Sequence, residues 1–297
     1  MECVIGGKTF RYAENAIQND IDRDSYFELT KKVFGLDFYP WYRSGFCGNS
    51  FVPHTLYHND IAVASVGVMV SEFKWKNCIK TYVQISTVIT DPEYRSVNLS
   101  RWLMELVLKE WKCKSDLIYL YANDSVVDFY PKFGFDRVNE YVYSMPVSKR
   151  AGKCRKLDLA SSGDMALLTE KYLSCNNPFS ALTMEKNLSH VMFHCVTFLH
   201  DNVYYVEDCD AVVIAEYEKD TIFCYDIYSD TKCSIRDVIG ILAAENTTTV
   251  NFGFTPNVID GCRCEKSEER DTTVFALKGM DNIFANHKVT FPFLSRA

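Results

Sequence analysis

The sequence lacks the long apolar run that a membrane-spanning helix needs. No segment of its 297 residues approaches the roughly 20 consecutive apolar residues that cross a bilayer. Residues 1–11 also lack an apolar core of signal-peptide length. We therefore expect a cytoplasmic protein that has no membrane partner.

The sequence also lacks an excess of positive charge. It has 39 Asp and Glu residues against 32 Lys and Arg residues, which leaves a net charge of -7 and an isoelectric point near 5.5. Proteins that bind nucleic acid or acidic membranes usually carry basic patches that neutralise phosphates. The composition therefore argues against a nucleic-acid partner.

The cysteines lack the paired spacing of zinc sites. No two of the 12 cysteines stand in a CxxC arrangement, and the close pair is Cys262 and Cys264. His190 and His194 are four residues apart and could share one helical face, but the intervening Glu of a metalloprotease helix is missing. We expect reduced cysteines that pack as small apolar side chains, and no bound metal.

Two hydrophobic patterns alternate along the first 150 residues and predict an α/β (α+β) fold. Strand signals in close succession over residues 55–57, 61–73 and 79–90 predict an antiparallel meander with tight polar turns. From residue 99 to residue 111 the apolar residues recur with a helical period. The near-continuous apolar run of residues 116–122 then predicts a central strand that is buried on both faces.

The second half of the chain repeats this order of elements. Residues 203–228 predict another meander, and Ser234 is placed to cap a helix with the same apolar stripe. We predict two tandem units, residues 1–146 and 147–297, each a mixed, mostly antiparallel sheet flanked by helices. Residues 137–145 would form the last strand of the first unit, before a basic boundary segment without periodicity.

One segment has the layout of an anion-binding loop. TDPEYRSVNLSRWLM, residues 90–104, passes from a strand end through a Pro-marked turn and Arg95 into an amphipathic helix. The first N–H groups of such a helix have no partner within it, and the helix dipole adds partial positive charge there. The segment therefore predicts a site for a pyrophosphate.

This segment resembles the acetyl-CoA loop of the GCN5-related N-acetyltransferases, whose pattern is Gln/Arg-x-x-Gly-x-Gly/Ala. Arg95 matches the first position, while Asn98 and Ser100 stand where Gly and Gly/Ala are expected. A second segment, YANDSVVDFYPKFGF (residues 121–135), is similar to the family's Asn…Phe-Tyr-x-x-Phe-Gly-Phe ending. The resemblance covers residues 1–146, with its specific part at 83–135, and implies two tandem acyl-CoA N-acyltransferase-like domains.

The resemblance implies an acetyl transfer from acetyl-CoA to a primary amine of a small molecule or peptide, by direct attack. Tyr130 would protonate the leaving thiolate, Asn123 would contact the coenzyme arm, and an aromatic stretch would border the acceptor: Phe38, Tyr39 and Trp41. The remaining coenzyme contacts would come from the central strand and the loop: Val88, Ile89, Thr90, Arg95, Ser96, Val97, Asn98, Leu99 and Ser100.

Each of these assignments has an alternative in which the residue has an ordinary structural role. Tyr130 next to Phe129 could be core filling, Arg95 a solvated turn residue, and Asn123 the cap of a short helix. The general base stays open between a water chain and three carboxylates: Glu72, Asp91 and Glu93.

The two glycine replacements need not abolish the loop. Glycine permits positive φ and close approach of phosphate oxygens, and Asn tolerates the left-handed region best among the other residues. We therefore expect Asn98 to keep the turn and Ser100 to add only a small hydroxymethyl group. The predicted cost is a weaker affinity for the coenzyme.

The second half lacks both motifs. Its corresponding loop, SDTKCS at residues 229–234, has no Pro-x-x-Arg turn, and the strand ending FGFTP is not followed by the tyrosine motif. We expect this half to hold no coenzyme and to shape the acceptor pocket, where the net negative charge would suit a cationic acceptor. The rival hypothesis is a catalytically degenerate acyl-CoA-binding or protein-interaction module. A third hypothesis is that the protein transfers an acyl group longer than acetyl.

Overall fold

The computed structural model describes residues 1–230 and 232–297, and its strands form two sheets flanked by helices. The strands are β1 Glu2–Ile5, β2 Lys8–Ala13, β3 Phe51–His58, β4 Ile61–Trp75, β5 Cys78–Thr90, β6 Leu117–Ala122, β7 Phe135–Arg137, β8 Tyr141–Pro146, β9 Cys154–Lys156, β10 Leu182–Glu185, β11 Val203–Val206, β12 Ala211–Glu218, β13 Thr221–Tyr228, β14 Thr249–Phe252, β15 Arg263–Lys266 and β16 Thr273–Leu277. The α-helices are α1 Asp20–Phe34, α2 Tyr39–Arg43, α3 Leu99–Trp111, α4 Ser162–Ser174, α5 Leu188–Thr197 and α6 Ile235–Leu242.

The predicted meander is confirmed by the pairing of β4 with both β3 and β5. Each of the two hairpins turns through two residues at positive φ, Asn59 (51°) with Asp60 (60°) and Lys76 (48°) with Asn77 (64°). Two-residue turns of this hand match the right-handed twist of the flanking strands. The turn chemistry therefore sets the register of β3, β4 and β5.

Two helices cover opposite faces of this first sheet. α3 buries Leu103 and Val107 in the same cluster as Val68 of β4, whereas α1 packs its apolar face into the cluster that holds Met69. Because successive residues of a strand point to opposite faces, the neighbours Val68 and Met69 define the two sides. Each fully buried side chain of this kind contributes about 1.5–3 kcal/mol to folding.

The two sheets exchange strands across the predicted boundary at residue 146. β8, which precedes that boundary, pairs with β14 and β15 in the second sheet. β16, from the second half, lies between β6 and β7 of the first sheet, and β10 pairs with β4. The division into domains 1–146 and 147–297 stays a prediction, but the sheets do not divide there.

The predicted single strand over residues 137–145 is wrong. The chain leaves the first sheet at the end of β7 and enters the second sheet at β8. Glu140 lies between them and is buried, and its carboxylate accepts hydrogen bonds from the Phe291 N–H (2.8 Å) and the Thr290 hydroxyl (2.8 Å). These partners, 150 residues away along the chain, hold the connection in an irregular conformation.

In the described part of the chain, no helix has both the length and the apolar character required to cross a membrane.

Candidate functional site

A groove of about 1060 Å³ opens where β5 and β6 meet the N-terminus of α3, and we call it the main groove. Ligand sites usually measure roughly 300–1,000 Å³, so it has room for an extended molecule of cofactor size. Its walls include many of the residues that the sequence predicted: Val88, Ile89, Thr90, Arg95, Ser100, Asn123 and Tyr130.

A β-bulge in β5 forms one wall of the main groove. The register of β4 with β5 shifts between the pairs Ser65–Ile89 and Gly67–Ser86, so Thr87 and Val88 stand outside the ladder. Thr87 has φ 41°, a strained value for a β-branched residue, and such strain concentrates at functional sites. The bulge therefore turns backbone groups of β5 away from β4 and toward the groove.

The bulge depends on a glycine in the facing strand. A Cβ at Gly67 would lie 2.4 Å from Thr87 Oγ1 and 2.7 Å from the Phe51 ring. The Thr87 hydroxyl is also 3.3 Å from the hydroxyl of Tyr26, a fully buried residue of α1. The space left by Gly67 and the contact with Tyr26 therefore hold Thr87 in its unusual conformation.

The loop before α3 has the conformation that the sequence analysis expected of Asn98. Asn98 has φ 66°, and its side chain makes no capping hydrogen bond to the helix. Ser96 is also left-handed, at φ 68°, and the Ser100 hydroxyl is hydrogen-bonded to the Thr90 hydroxyl. With no side-chain cap, the first N–H groups of α3 are available to a ligand.

Some of the predicted loop residues have side chains that face away from the main groove. Leu99 is fully buried in the core, and Val97 packs against that core and close to Gly6. Ser96 and Asn98 are exposed and do not line the groove. The loop therefore brings the side chains of Arg95 and Ser100 to the groove. At the other four positions, 96–99, only backbone groups are left to contact a ligand there.

Tyr130 combines a buried ring with a place on the groove wall. Only 5% of the residue is exposed, and its ring packs 5.3 Å from Phe129 and 5.8 Å from Phe275. Burial raises the pKa of Tyr130 to about 12. The hydroxyl therefore stays protonated at neutral pH and can donate a proton or a hydrogen bond.

Asn123 lines the main groove without serving as a side-chain cap. It precedes the short turn Asp124–Val126, and its side chain makes no capping hydrogen bond there. The Asp124 N–H instead donates to the Asp271 carboxylate at 2.8 Å, and Asp271 also lines the groove. The amide of Asn123 is thus available to a ligand.

A smaller cavity of about 240 Å³ adjoins the main groove, and we call it the side cavity. Of the predicted acceptor residues, Phe38 and Trp41 line it. Tyr39 does not, because its ring packs 5.1 Å from Phe27 and lies under the Arg43 guanidinium. The two cavities share wall residues from the end of α1, the bulge and the C-terminal half: Leu36, Ser86, Thr87, Phe198 and Ala297.

The three carboxylates considered as general bases lie outside both cavities. Asp91 is buried, and its carboxylate lies 2.7 Å from Lys32 Nζ. Burial opposes ionisation of Asp91, but the hydrogen bonds from Lys32 and from the Glu93 N–H outweigh this effect and lower the pKa of Asp91. Glu72 pairs with Thr81, several residues before the bulge. Asp91 therefore has a structural role as a buried ion-pair partner and turn cap.

The C-terminal segment contributes contacts near the site that the sequence did not predict. The Gln84 amide donates to Ala297 O (2.9 Å) and accepts from the Ala297 N–H (3.0 Å). Arg296 pairs with buried Glu140 at 3.3 Å and lies 4.9 Å from the Tyr121 ring. No local pattern in the sequence signals contacts between residues more than 200 positions apart.

His190 and His194 serve this segment rather than a metal. Their Nε2 atoms lie 3.0 and 2.9 Å from the same oxygen, that of Arg296. Burial lowers the pKa of His190 to about 3 and that of His194 to about 4, so both are neutral. Across residues 1–230 and 232–297, no group of three or more His, Cys, Asp or Glu side chains is placed to hold a metal ion.

The corresponding loop of the second half, residues 229–234, is only partly described. Thr231 lies outside the described residues, and the expectation that this half holds no coenzyme stays a prediction. Ser234, at the end of the loop, caps α6 through its hydroxyl.

Comparison with known proteins supports the resemblance noted in the sequence. Residues 15–135 match the model of the acetyltransferase (GNAT) family. No curated protein matches the chain.

Among solved structures, a probable N-acyltransferase from Enterococcus faecalis is 13% identical, with a TM-score of 0.60 over 91% of this chain and 72% of that one. GCN5-related N-acetyltransferases from Kribbella flavida (15% identity, TM-score 0.53, 90% and 70% coverage) and Anabaena variabilis (12%, 0.56, 90% and 72%) are similar too. At these identities, the likeness concerns the fold.

Proposed function

Residues 15–135 match the model of the acetyltransferase (GNAT) family, and on that basis we propose that the protein transfers an acetyl group from acetyl-CoA to a primary amine. The observation that carries the proposal is the meeting of three features in one groove. These are the open N-terminus of α3 with Arg95, the bulge at Thr87, and the protonated hydroxyl of Tyr130.

The N-terminus of α3 supports binding of the coenzyme pyrophosphate. Its first N–H groups are not capped by a side chain, and the helix dipole places partial positive charge there. Arg95 and Ser100 line the same part of the groove and can donate hydrogen bonds to phosphate oxygens. No large basic cluster is needed, which agrees with the net charge of -7.

The bulge supports placement of the thioester. Thr87 and Val88 lie outside the β4 ladder, so a backbone N–H there can donate to the thioester carbonyl oxygen as it gains negative charge. Asn123 also lines the groove, and we infer that its amide contacts the pantetheine arm. Acetyl-CoA would therefore run from α3 along β5, with its thioester at the bulge.

The proposed reaction is direct attack without a covalent enzyme intermediate. The lone pair of the neutral amine forms a bond to the thioester carbon, and the carbon–sulfur bond breaks. The leaving thiolate takes a proton from the Tyr130 hydroxyl, the nitrogen loses one proton to solvent, and the Tyr130 phenolate regains a proton from solvent. Positioning and these proton transfers provide the catalysis.

Calorimetry with acetyl-CoA is the first test. We expect binding at one site per chain, and we expect thiol release when a primary amine is added. Failure of millimolar acetyl-CoA to give heat or a thermal shift would refute the proposal. Binding without turnover over a broad amine panel would instead favour the non-catalytic acyl-CoA-binding module.

A further inference from the structure

The side cavity is built from aromatic rings. α2, β3 and α5 each contribute to its wall: Phe38, Trp41, Phe51 and Phe193. The Phe193 ring lies 5.5 Å from Trp41 at 72° and 5.6 Å from Phe38 at 44°. Trp41 donates its indole N–H to Ser189 O at 2.9 Å, so this N–H is not available to a ligand. A ligand in the cavity would contact the carbon atoms of these rings, which favours another aromatic ring.

The walls of the side cavity offer no acidic side chain to a cation. Among the described residues that line it there is no Asp or Glu, His190 and His194 are neutral, and the charged side chain is that of Arg296, a cation. Moving a charged group between such walls without a counter-charge is costly. The part of the ligand that enters the cavity is therefore uncharged, which argues against an acceptor with a second cationic group and narrows the expectation of a cationic acceptor to its reacting amine.

The volume of the side cavity fits one ring with a short chain. An apolar cavity of roughly 150 Å³ binds one benzene molecule. At about 240 Å³, this cavity has additional room for only a few more carbon atoms. A peptide or a long polyamine would extend beyond it, and a sugar ring would bring its hydroxyl groups against walls that are mainly apolar.

The amine of such a ligand would lie where the side cavity meets the main groove. Ser86 lines both cavities and is 6% exposed, and its Oγ has no hydrogen-bond partner in the described structure. An unsatisfied buried hydroxyl is unfavourable and calls for a polar partner. An amine bound to Ser86 Oγ would stand next to the bulge at Thr87.

We infer that the side cavity binds the apolar body of the acceptor, and that the acceptor is an arylalkylamine with one aromatic ring and one primary amine. The inference rests on the proposed function, because the main groove must supply the acetyl group. Phe198, which is 54% exposed at the shared rim of the two cavities, closes over the chain between ring and amine.

The test compares amines that differ in their apolar body. With acetyl-CoA, thiol release should show kcat/KM for phenethylamine at least about tenfold above the values for cadaverine and glucosamine, since hydrophobic pockets discriminate on that order. Phe198→Ala should reduce this preference about fivefold, as expected for loss of one aromatic contact. The control is Leu173→Ala on α4, a similarly exposed apolar residue (53%), which should leave the preference unchanged.

Two results would overturn the inference while leaving acetyl transfer intact. One is equal kcat/KM for the three amines, or a preference for cadaverine. The other is faster turnover of hexanoyl-CoA than of acetyl-CoA that Phe198→Ala abolishes, which would assign the side cavity to the acyl chain.

Calorimetric titration with phenethylamine alone separates the inference from the proposed function. Binding that Phe198→Ala weakens and Leu173→Ala does not would support the cavity assignment even for a protein that fails to bind acetyl-CoA. No binding of phenethylamine, either alone or with CoA present, would contradict it whatever the coenzyme result.

Discussion

Two parallel crossovers in the described part of the chain, β5–α3–β6 and β13–α6–β14, begin their helices in opposite ways. At the start of α6, Ser234 Oγ accepts from the Asp237 N–H (3.2 Å), and the Asp237 carboxylate accepts from the Ser234 N–H (3.0 Å). At the start of α3, Asn98 makes no such bond. One helix satisfies its first N–H groups with its own side chains, and the other leaves them open.

This difference shows how one supersecondary unit can serve stability or binding. A side-chain cap contributes about 1 kcal/mol to helix stability, and a carboxylate in the first turn adds about 0.3–1 kcal/mol through the dipole. The carboxylate of Asp237 would also repel a pyrophosphate. We therefore expect coenzyme at α3 and none at α6, and four substitutions test that contrast.

Replacing Tyr130 should have the largest effect of the four substitutions. The tyrosine motif occurs in the first half, and no such motif follows β14 in the second half that could replace it. We predict that Tyr130→Phe lowers kcat by roughly 100- to 10,000-fold, the usual range for a general acid, with unchanged affinity for acetyl-CoA. Since its raised pKa of about 12 keeps the acid form as pH rises, loss of this proton should not limit kcat below that pH. Undiminished thiol release by the variant would remove Tyr130 as the acid.

Placing a carboxylate at the start of α3 should make it resemble α6. We predict that Ser100→Asp weakens acetyl-CoA binding by on the order of 100-fold, because a negative charge would face the pyrophosphate, while thermal stability is kept or slightly raised. Ser100→Ala is the matched control and should cost less than tenfold. Equal affinities of the two variants would place the pyrophosphate elsewhere.

Removing the cap of α6 should affect stability alone. We predict that Ser234→Ala lowers the free energy of unfolding by about 1 kcal/mol, as measured by urea denaturation. The affinity for acetyl-CoA should not change, because this helix is expected to bind no coenzyme. A parallel loss of affinity would mean that α6 contributes to the site.

The smallest effect is expected from restoring glycine in the loop before α3. Asn98 already has φ 66°, and glycine adopts this conformation without strain while letting phosphate approach more closely. We predict that Asn98→Gly strengthens acetyl-CoA binding by about two- to fivefold in calorimetry. A weaker affinity would show instead that the Asn98 side chain contacts the coenzyme.

Elements encoded by local pattern were predicted well. The apolar stripe of α3 follows the helical period, and Leu103 and Val107 are buried as that period requires. The left-handed conformation of Asn98 was also predictable, because few residue types tolerate it. These features depend on neighbours within a few positions, so a single sequence suffices.

Features that depend on distant partners could not be predicted. In the sequence Thr87 looks like an ordinary strand residue, and its bulge is explained only by the distant residues Gly67 and Tyr26. The side cavity needs Phe193 of α5 against Trp41 of α2, more than 150 residues apart. Such contacts follow from packing, which leaves no periodic signal in the sequence.

The position of β16 has a consequence for folding during synthesis. Because β16 lies between β6 and β7 and brings Phe275 against Tyr130, the first sheet cannot close until residues 273–277 have emerged from the ribosome. A nascent chain that reaches only residue 146 would present the open edge of β6, a template for wrong pairing. The main groove in the N-terminal half therefore cannot form until residues 273–277 are available.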